Sequence, residues 1–192
     1  MTNQLLPETF YDSLSLAHKL DNYLDGFKRR EIQLFSYFAS ILYLYSGNPI
    51  ATWQYKYIVV QGYPFADTID EAINRHLANG NYEEDSEYLK LSGRGTDEFQ
   101  KFKNLTMFAS REKYLDAACT ASILVPYSKT VKSLLNQPEI KQVSELHPRS
   151  WLEQIDIHPK FQLISESLGV PTDDLLLPAV TWINYLSINE ER

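Results

Sequence analysis

Leu34, Phe38, Ile41 and Tyr45 recur at i, i+4, i+7 and i+11, which predicts a helix from about Lys28 to Tyr45 with one apolar face. Gly47-Asn48-Pro49 stops it, since glycine suits a left-handed stop and proline cannot donate to a continuing ladder. A short extended piece at Ile50-Ala51 follows. Thr52 is then read as the cap of a second helix carrying Trp53, Tyr57, Ile58 and Val60, before turn chemistry at Gln61-Gly62-Tyr63-Pro64. Ile69, Ala72, Ile73 and Leu77 make the buried stripe of a third helix, from Asp67 as its cap to about Asn79, and Gly80 ends it. Tyr88-Leu89-Lys90-Leu91 alternates as the return strand of a small hairpin that begins near Tyr82. Ser92 caps a fourth helix with Phe99, Phe102, Leu105 and Phe108 on it.

Outside this central stretch the pattern is helical throughout. Phe10, Leu14, Ala17, Leu20 and Leu24 predict a helix from Glu8 to Asp25, ended by Gly26, after a loose terminus over residues 1–7. The periodic pattern after the hairpin runs to about Leu124, with Ser110 as the point where it divides. Helices over Lys129–Leu135, Glu139–Leu146 and Pro159–Leu168 are separated by Pro138, Pro148 and a short helical or irregular piece at Trp151–Ile155. Thr172 caps the last helix, Leu175–Leu186, which is apolar almost all round. A helix apolar on every side must be buried on every side, either as the central helix of the C-terminal half or docked on a partner. Leu176, Val180, Trp182, Ile183 and Tyr185 are the candidate interface residues of the second case.

The order helix, turn, helix, turn, helix, hairpin, helix is that of a winged helix-turn-helix. The expected fold is mainly α: an N-terminal helix over residues 1–27, a winged-helix domain with a small β-hairpin wing over 28–109, and a helical C-terminal region over 110–192 packed on it.

Composition narrows the chemistry. Of 192 residues, 44% are hydrophobic and 22% charged, an ordinary globular mix with enough apolar material for a sizeable core. Cys119 is the only cysteine, so an intramolecular disulfide and an all-cysteine zinc site are excluded. Beside Ala117, Ala118 and Ala121 it reads as a packed small residue. No basic segment followed by an apolar core marks a secretory signal, and no apolar run approaches the roughly 18 residues of a membrane span, so a cytoplasmic protein is expected.

His18, His76, His147 and His158 never pair at i+3 or i+4, so no helical metal pair is expected. His76 is read as a surface or half-buried side chain, and His147-Pro148 and His158-Pro159 as turns. Gly93-Arg94-Gly95 is too short to cradle phosphate and no Walker lysine follows it. No cofactor, no metal and no enzymatic activity are expected.

Charge distribution then weighs against a nucleic-acid role for the third helix and the wing. The net charge is −7, and residues 67–98 alone hold nine acids against Arg75, Lys90 and Arg94. DNA-binding versions of this fold place Lys and Arg on those two elements, because phosphate neutralisation supplies most of the affinity. Here Asp67, Asp70, Glu71, Glu83, Glu84, Asp85 and Glu87 would repel a duplex. Lys101, Lys103, Arg111 and Lys113 are the candidate phosphate contacts, from another side, in a weak non-specific encounter with DNA. Lys28-Arg29-Arg30 reads as solvated charge at a helix start.

The chain length, the stretch Glu31–Lys103 (Leu42-Tyr43-Leu44-Tyr45-Ser46-Gly47-Asn48-Pro49-Ile50, then Tyr88-Leu89-Lys90-Leu91-Ser92-Gly93-Arg94-Gly95) and the all-helical tail resemble one bacterial group. These are the small middle, or accessory, subunits of three-component systems built around an SMC-like ABC ATPase. Lamassu-type anti-phage complexes and the winged-helix subunits of SMC condensins are relatives in role. The resemblance implies a non-catalytic subunit that bridges the ATPase to an effector, often a nuclease, in defence against phage or plasmids. It brings no catalytic motif with it. The alternative is a stand-alone winged-helix regulator that binds DNA as a dimer.

Overall fold

A computed structural model describes residues 5–146, 152, 157–169 and 174–188. The elements in order are α1 (Pro7–Asp21), α2 (Arg29–Tyr45), a 3-10 turn (Ile50–Trp53), β1 (Ile58–Val60), β2 (Tyr63–Phe65), α3 (Asp67–Ala78), β3 (Tyr82–Asp85), β4 (Tyr88–Leu91), α4 (Gly93–Phe102), α5 (Thr106–Leu124), α6 (Tyr127–Leu135), α7 (Pro138–Leu146), α8 (Ile157–Leu168) and α9 (Leu176–Ile188). The protein is mainly helical with two small antiparallel hairpins. Expectations for residues 1–4, for His147, for the Trp151–Ile155 piece apart from Leu152, and for a Thr172 cap concern positions outside the described residues.

The helix expected after Thr52 is absent. Thr52 lies in the 3-10 turn, its hydroxyl donating to the Pro49 carbonyl at 2.6 Å. The chain from Tyr57 onward is extended, and Ile58, Val59 and Val60 pair with Phe65, Pro64 and Tyr63. The β-branched run favours a strand, and Gln61 (φ +52°) and Gly62 (φ +78°) supply the two left-handed residues of a two-residue hairpin loop. Residues 46–66 therefore separate α2 from α3, where a helix-turn-helix has a turn of three or four residues. The second hairpin matches the expectation, with Tyr82, Glu83, Glu84 and Asp85 opposite Leu91, Lys90, Leu89 and Tyr88. Phe27 extends its ladder: its N–H donates to the Leu89 carbonyl at 2.8 Å, and its carbonyl accepts from the Leu89 N–H at 2.7 Å. The α1–α2 turn can run so close because it holds Gly26 at φ +94°, where a side chain would press on Leu89 and Tyr88.

Several boundaries move for local reasons. α1 ends at Asp21, four residues before the expected stop. Gln33 on α2 takes over the start of α3, accepting from the Ala66 N–H at 2.9 Å, so Ala66 and not Asp67 is the capping position. The long helix divides at Lys103–Leu105, ahead of Ser110. Asp174 caps α9 through its carboxylate, which accepts from Leu176 N–H at 2.9 Å.

Buried residues from Tyr11 on α1 to Leu186 on α9 form one continuous core. α5 packs on both α1 and α2, α9 packs on α5, α6 and α8, and α3 packs on α1. α1 is buried along most of its circumference, with Thr9, Asp12, Ser13 and Ser15 enclosed as fully as Tyr11 and Leu14. Cys119 is enclosed in α5, and burial pushes its thiol up to about 12, so it stays protonated at neutral pH.

The junction of α3, β3 and α4 depends on one glycine. Ser92 caps α4, its hydroxyl accepting from Gly95 N–H at 3.0 Å and donating to the Gly80 carbonyl at 2.7 Å. A Cβ on Gly95 would lie 2.3 Å from the Asn81 carbonyl oxygen and 2.7 Å from Leu91 Cδ1. Backbone cannot yield as a side-chain tip can. Gly95→Ala is expected to destabilise the fold by about 2 kcal/mol, read as a drop in urea midpoint at unchanged m value. A midpoint equal to the native one would show that α4 does not pack this closely on Asn81.

Candidate docking groove

Three helices and one turn leave an open groove of about 590 Å³. Leu5, Pro7 and Phe10 at the start of α1 form one wall, and Arg75 and Asn79 at the end of α3 form a second. Glu98 and Phe102 on α4 face them, and Leu105, Met107 and Phe108 close the end at the α4–α5 turn. The floor is aromatic. Phe10 meets Phe102 edge-on with ring centroids 6.0 Å apart, and Phe102 meets Phe108 at 6.4 Å. Leu105 is 43% exposed and Met107 57% exposed. The helix break puts them there: α4 ends at Phe102, the Leu105 N–H donates back to the Phe102 carbonyl at 2.9 Å, and α5 starts immediately after.

Behind the floor a buried polar knot fixes the walls. His76 is fully enclosed, neither at the surface nor half-buried as the sequence suggests, and its ring packs 4.0 Å from Phe10 and 4.8 Å from Tyr82. Its Nε2 lies 3.0 Å from the Phe10 carbonyl and its Nδ1 3.1 Å from Asn81 Nδ2. Asn81 Nδ2 also donates to Glu98 Oε2. One amide nitrogen thus serves a ring nitrogen and a carboxylate, both of which must accept, so Nε2 carries the imidazole proton and donates it to Phe10. Burial pushes the imidazole down to about 4, with the Phe10 bond opposing the shift, and the ring is neutral at pH 7.

The nearest approach to a nucleophile and base is Ser13 Oγ, 3.1 Å from His76 Nε2. It is no catalytic pair. Both side chains are fully buried, and the Ser13 hydroxyl donates to the Thr9 carbonyl at 2.8 Å. Asp12, the fully buried acid of α1, faces Arg111 on α5, whose guanidinium reaches both carboxylate oxygens and stacks 3.8 Å from the Trp53 ring centroid. Among the described residues no group of three His, Cys, Asp or Glu is placed to hold a metal ion, and no helix is long and apolar enough to cross a membrane.

No protein-family model, curated protein or solved structure matches this chain. Its functional reading therefore rests on its own geometry.

The proposed phosphate contacts do not form one face. Arg111 points inward and is spent on Asp12, which corrects its reading as a surface contact: the cation needs a carboxylate and Asp12 is in reach. Lys101, Lys103 and Lys113 are exposed, but the break at Lys103–Leu105 separates the first two from the third. Lys103 leans over the Phe99 ring at 5.9 Å and Lys113 over Tyr114 at 4.8 Å. Elsewhere three cations near α3 and the wing are paired within the chain: Lys28 with Glu87 at 2.8 Å, Lys90 with Asp25 at 2.6 Å, and Arg29 with Asn74 at 2.7 Å. Their lysine partners hold Glu87 and Asp25 below the usual carboxylate range.

The candidate interface on α9 is mostly interior. Trp182 and Ile183 are buried against this chain's own core and are unavailable to a partner, which corrects that reading of them, and Leu176 and Val180 are half-buried on it. Tyr185 is 43% exposed and stacks on Trp182 at 5.6 Å. α9 packs on α5, α6 and α8, but Leu177, Tyr185 and Ile188 are exposed, so the helix is not buried on every side as its apolar sequence suggests. Of the groove residues, the sequence places Phe10 on one helical stripe and Phe102, Leu105 and Phe108 on another, and it singles out no other apolar residue of the groove. Phe10 belongs to α1 and Phe102 to α4, and nothing in spacing says that their stripes meet.

Proposed function

We propose that this protein is a non-catalytic docking subunit of a multi-protein complex, with the groove as its contact site. The observation that carries the reading is an open, largely apolar groove with exposed Leu105 and Met107 set on a rigid aromatic floor. The buried titratable groups Asp12, Arg111 and His76 are already engaged within the chain, Asp12 with Arg111 and His76 with the Phe10 carbonyl. The complex implied by the sequence resemblance is an SMC-like ATPase with an effector nuclease, and in that setting the chain bridges the two. The unit α3–β3–β4–α4 acts here as a wing-bearing module turned to protein contact, since its exposed face carries Asp67, Glu83, Glu84, Asp85 and Glu87. A stand-alone DNA-binding regulator is the competing account, and the same acids oppose it.

The test is affinity capture of the full chain at native expression level from its own host, in parallel from nuclease-treated and untreated lysates, with the captured proteins identified by mass spectrometry. Recovery of an SMC-type ATPase in equal amount from both lysates is the expected result. Recovery of the chain alone, or only with nuclease-sensitive DNA, would overturn the reading.

A further inference from the structure

We infer that Asn79-Gly80, at the C-terminal end of α3, is a site of spontaneous deamidation whose rate is set by opening of the helix cap and not by unfolding of the protein. The chemistry needs no enzyme and is independent of the docking reading.

Deamidation needs an uncrowded backbone nitrogen after an asparagine. Of the asparagines in the chain, only Asn79 is followed by glycine. Glycine puts no Cβ beside the attacking nitrogen and leaves its backbone free to turn. Both residues are exposed, and no hydrogen bond to another described residue holds the Asn79 side-chain amide. Asn48 precedes a proline, whose nitrogen carries no hydrogen. Asn81 is enclosed, with its amide donating toward His76 and Glu98.

The closed cap withholds the nucleophile. Gly80 takes the left-handed turn at φ +72°, and its N–H donates to the Leu77 carbonyl at 3.0 Å. The Asn81 N–H reaches back to the His76 carbonyl at 2.8 Å, which completes a Schellman cap. Ring closure requires the Gly80 nitrogen to lose its proton and to eclipse the Asn79 Cβ about the Cα–C bond, whereas Asn79 is helical with ψ −5°. The cap must therefore open first. Helix ends open more readily than any core element, and this one lies at the surface.

With the cap open, the Gly80 nitrogen attacks the Asn79 Cγ. The new N–Cγ bond closes a five-membered imide, the Cγ–Nδ2 bond breaks, and the side-chain nitrogen takes up the displaced proton and leaves as ammonia. Water then opens the imide. Attack at Cγ gives aspartate, and attack at the backbone carbonyl gives isoaspartate. Either product places a carboxylate on the wall of the groove, at the negative end of the α3 dipole. Isoaspartate also adds a carbon to the main chain two residues before Asn81, the side chain that ties His76 to Glu98.

The test holds the intact chain at physiological temperature in mildly alkaline buffer, beside a sample unfolded in urea. The peptide containing Asn79 is followed by mass spectrometry and by isoaspartate-specific enzymatic methylation. The folded chain is expected to convert about ten- to a hundredfold more slowly than the unfolded one. Its rate is expected to stay flat in urea up to the foot of the unfolding transition, because opening a cap exposes little surface. Asn79→Gln is expected to stay unconverted over the same period, with an unchanged circular dichroism spectrum. Isolated isoaspartyl protein is expected to unfold at lower urea than Asn79→Asp, which carries the charge without the added carbon.

An unconverted folded chain after about a hundred unfolded half-times overturns the inference. So does a folded rate equal to the unfolded one, since the cap would then withhold nothing. A folded rate that climbs with urea in step with the unfolded fraction would assign the reaction to global unfolding and overturn it as well. An isoaspartyl protein as stable as Asn79→Asp would overturn the link to Asn81.

Discussion

Asp12→Ala is expected to lower the unfolding free energy by about 3–5 kcal/mol, enough to leave the chain largely unfolded if its stability is ordinary. The carboxylate is fully enclosed, and Arg111, also enclosed, reaches it through Nε at 2.9 Å and through a terminal nitrogen. Tyr55 donates to the same carboxylate at 2.6 Å, and a terminal nitrogen of Arg111 donates to the Trp53 carbonyl at 3.3 Å. Burial alone would lower the guanidinium, but the Asp12 charge and its hydrogen bonds hold it above its ordinary value. Removing the acid leaves a cation that cannot shed its proton and has no water to replace its partner. The large cost comes from stranding that charge, since two desolvated ions repay little against an apolar pair.

The same reasoning fixes the control. Asp12→Leu with Arg111→Met removes both charges and is expected to recover most of the loss, because no ion remains stranded and the volume is roughly kept. Urea denaturation of the two variants beside the native chain decides the matter. A cost below about 1 kcal/mol for Asp12→Ala would mean that water reaches the pair. Failure of the double variant to recover would assign the energy to the hydrogen bonds of Tyr55 and Trp53. What the pair does in the fold is register. It joins α1, the 3-10 turn and α5 at one point, and the Ser36 hydroxyl carries the network on to Tyr57 at 2.5 Å.

That network also marks the limit of what could be read from the chain alone. Periodicity found most of the helices because each buries a stripe, and it found the second hairpin because Leu89 and Leu91 alternate. In α1 it found only the stripe Phe10, Leu14, Ala17, Leu20 and Leu24, which leaves out Asp12, Ser13 and Ser15. They are buried because their partners lie far along the chain: Arg111 for Asp12, and Glu112, which accepts from the Ser15 hydroxyl at 2.7 Å. A polar residue is inside wherever its hydrogen bonds are met, and no window of local sequence contains a partner nearly a hundred residues away. The expected helix at Thr52 failed differently. Trp53, Tyr57, Ile58 and Val60 fit a helical stripe, but so does any short apolar run, and the β-branched residues with a Gln61-Gly62 loop decide for a strand. The groove was not legible because it lies between stripes. Leu105 and Met107 stand out only once the break before Thr106 is known.

Acid is expected to destabilise the protein through His76, by about 3 kcal/mol between pH 6.5 and about 4. In the unfolded chain the imidazole takes up its proton near 6.5, while in the fold burial holds it down to about 4. Above pH 6.5 the ring is neutral in both states and the stability is fully present. Below it the unfolded state binds a proton that the folded state refuses, so stability falls with pH until the folded ring also titrates. The groups facing the ring explain the refusal. The Phe10 carbonyl accepts from Nε2, Ser13 is turned to Thr9, and Asn81 presents its amide hydrogens to Nδ1, so a second ring proton would meet a donor. Glu98, the nearest acid to this knot, is reached only through Asn81. His18 also has a lowered value from burial and adds to the slope, so the comparison must be between variants. His76→Gln keeps a donor toward Phe10 and removes the titration. Unfolding free energies measured at pH 7 and about pH 5 should drop by about 2 kcal/mol more in the native chain than in this variant. Parallel losses in the two proteins would show that the ring titrates in the fold as it does in water, and that the wall formed by Phe10 is open to solvent on its inner side.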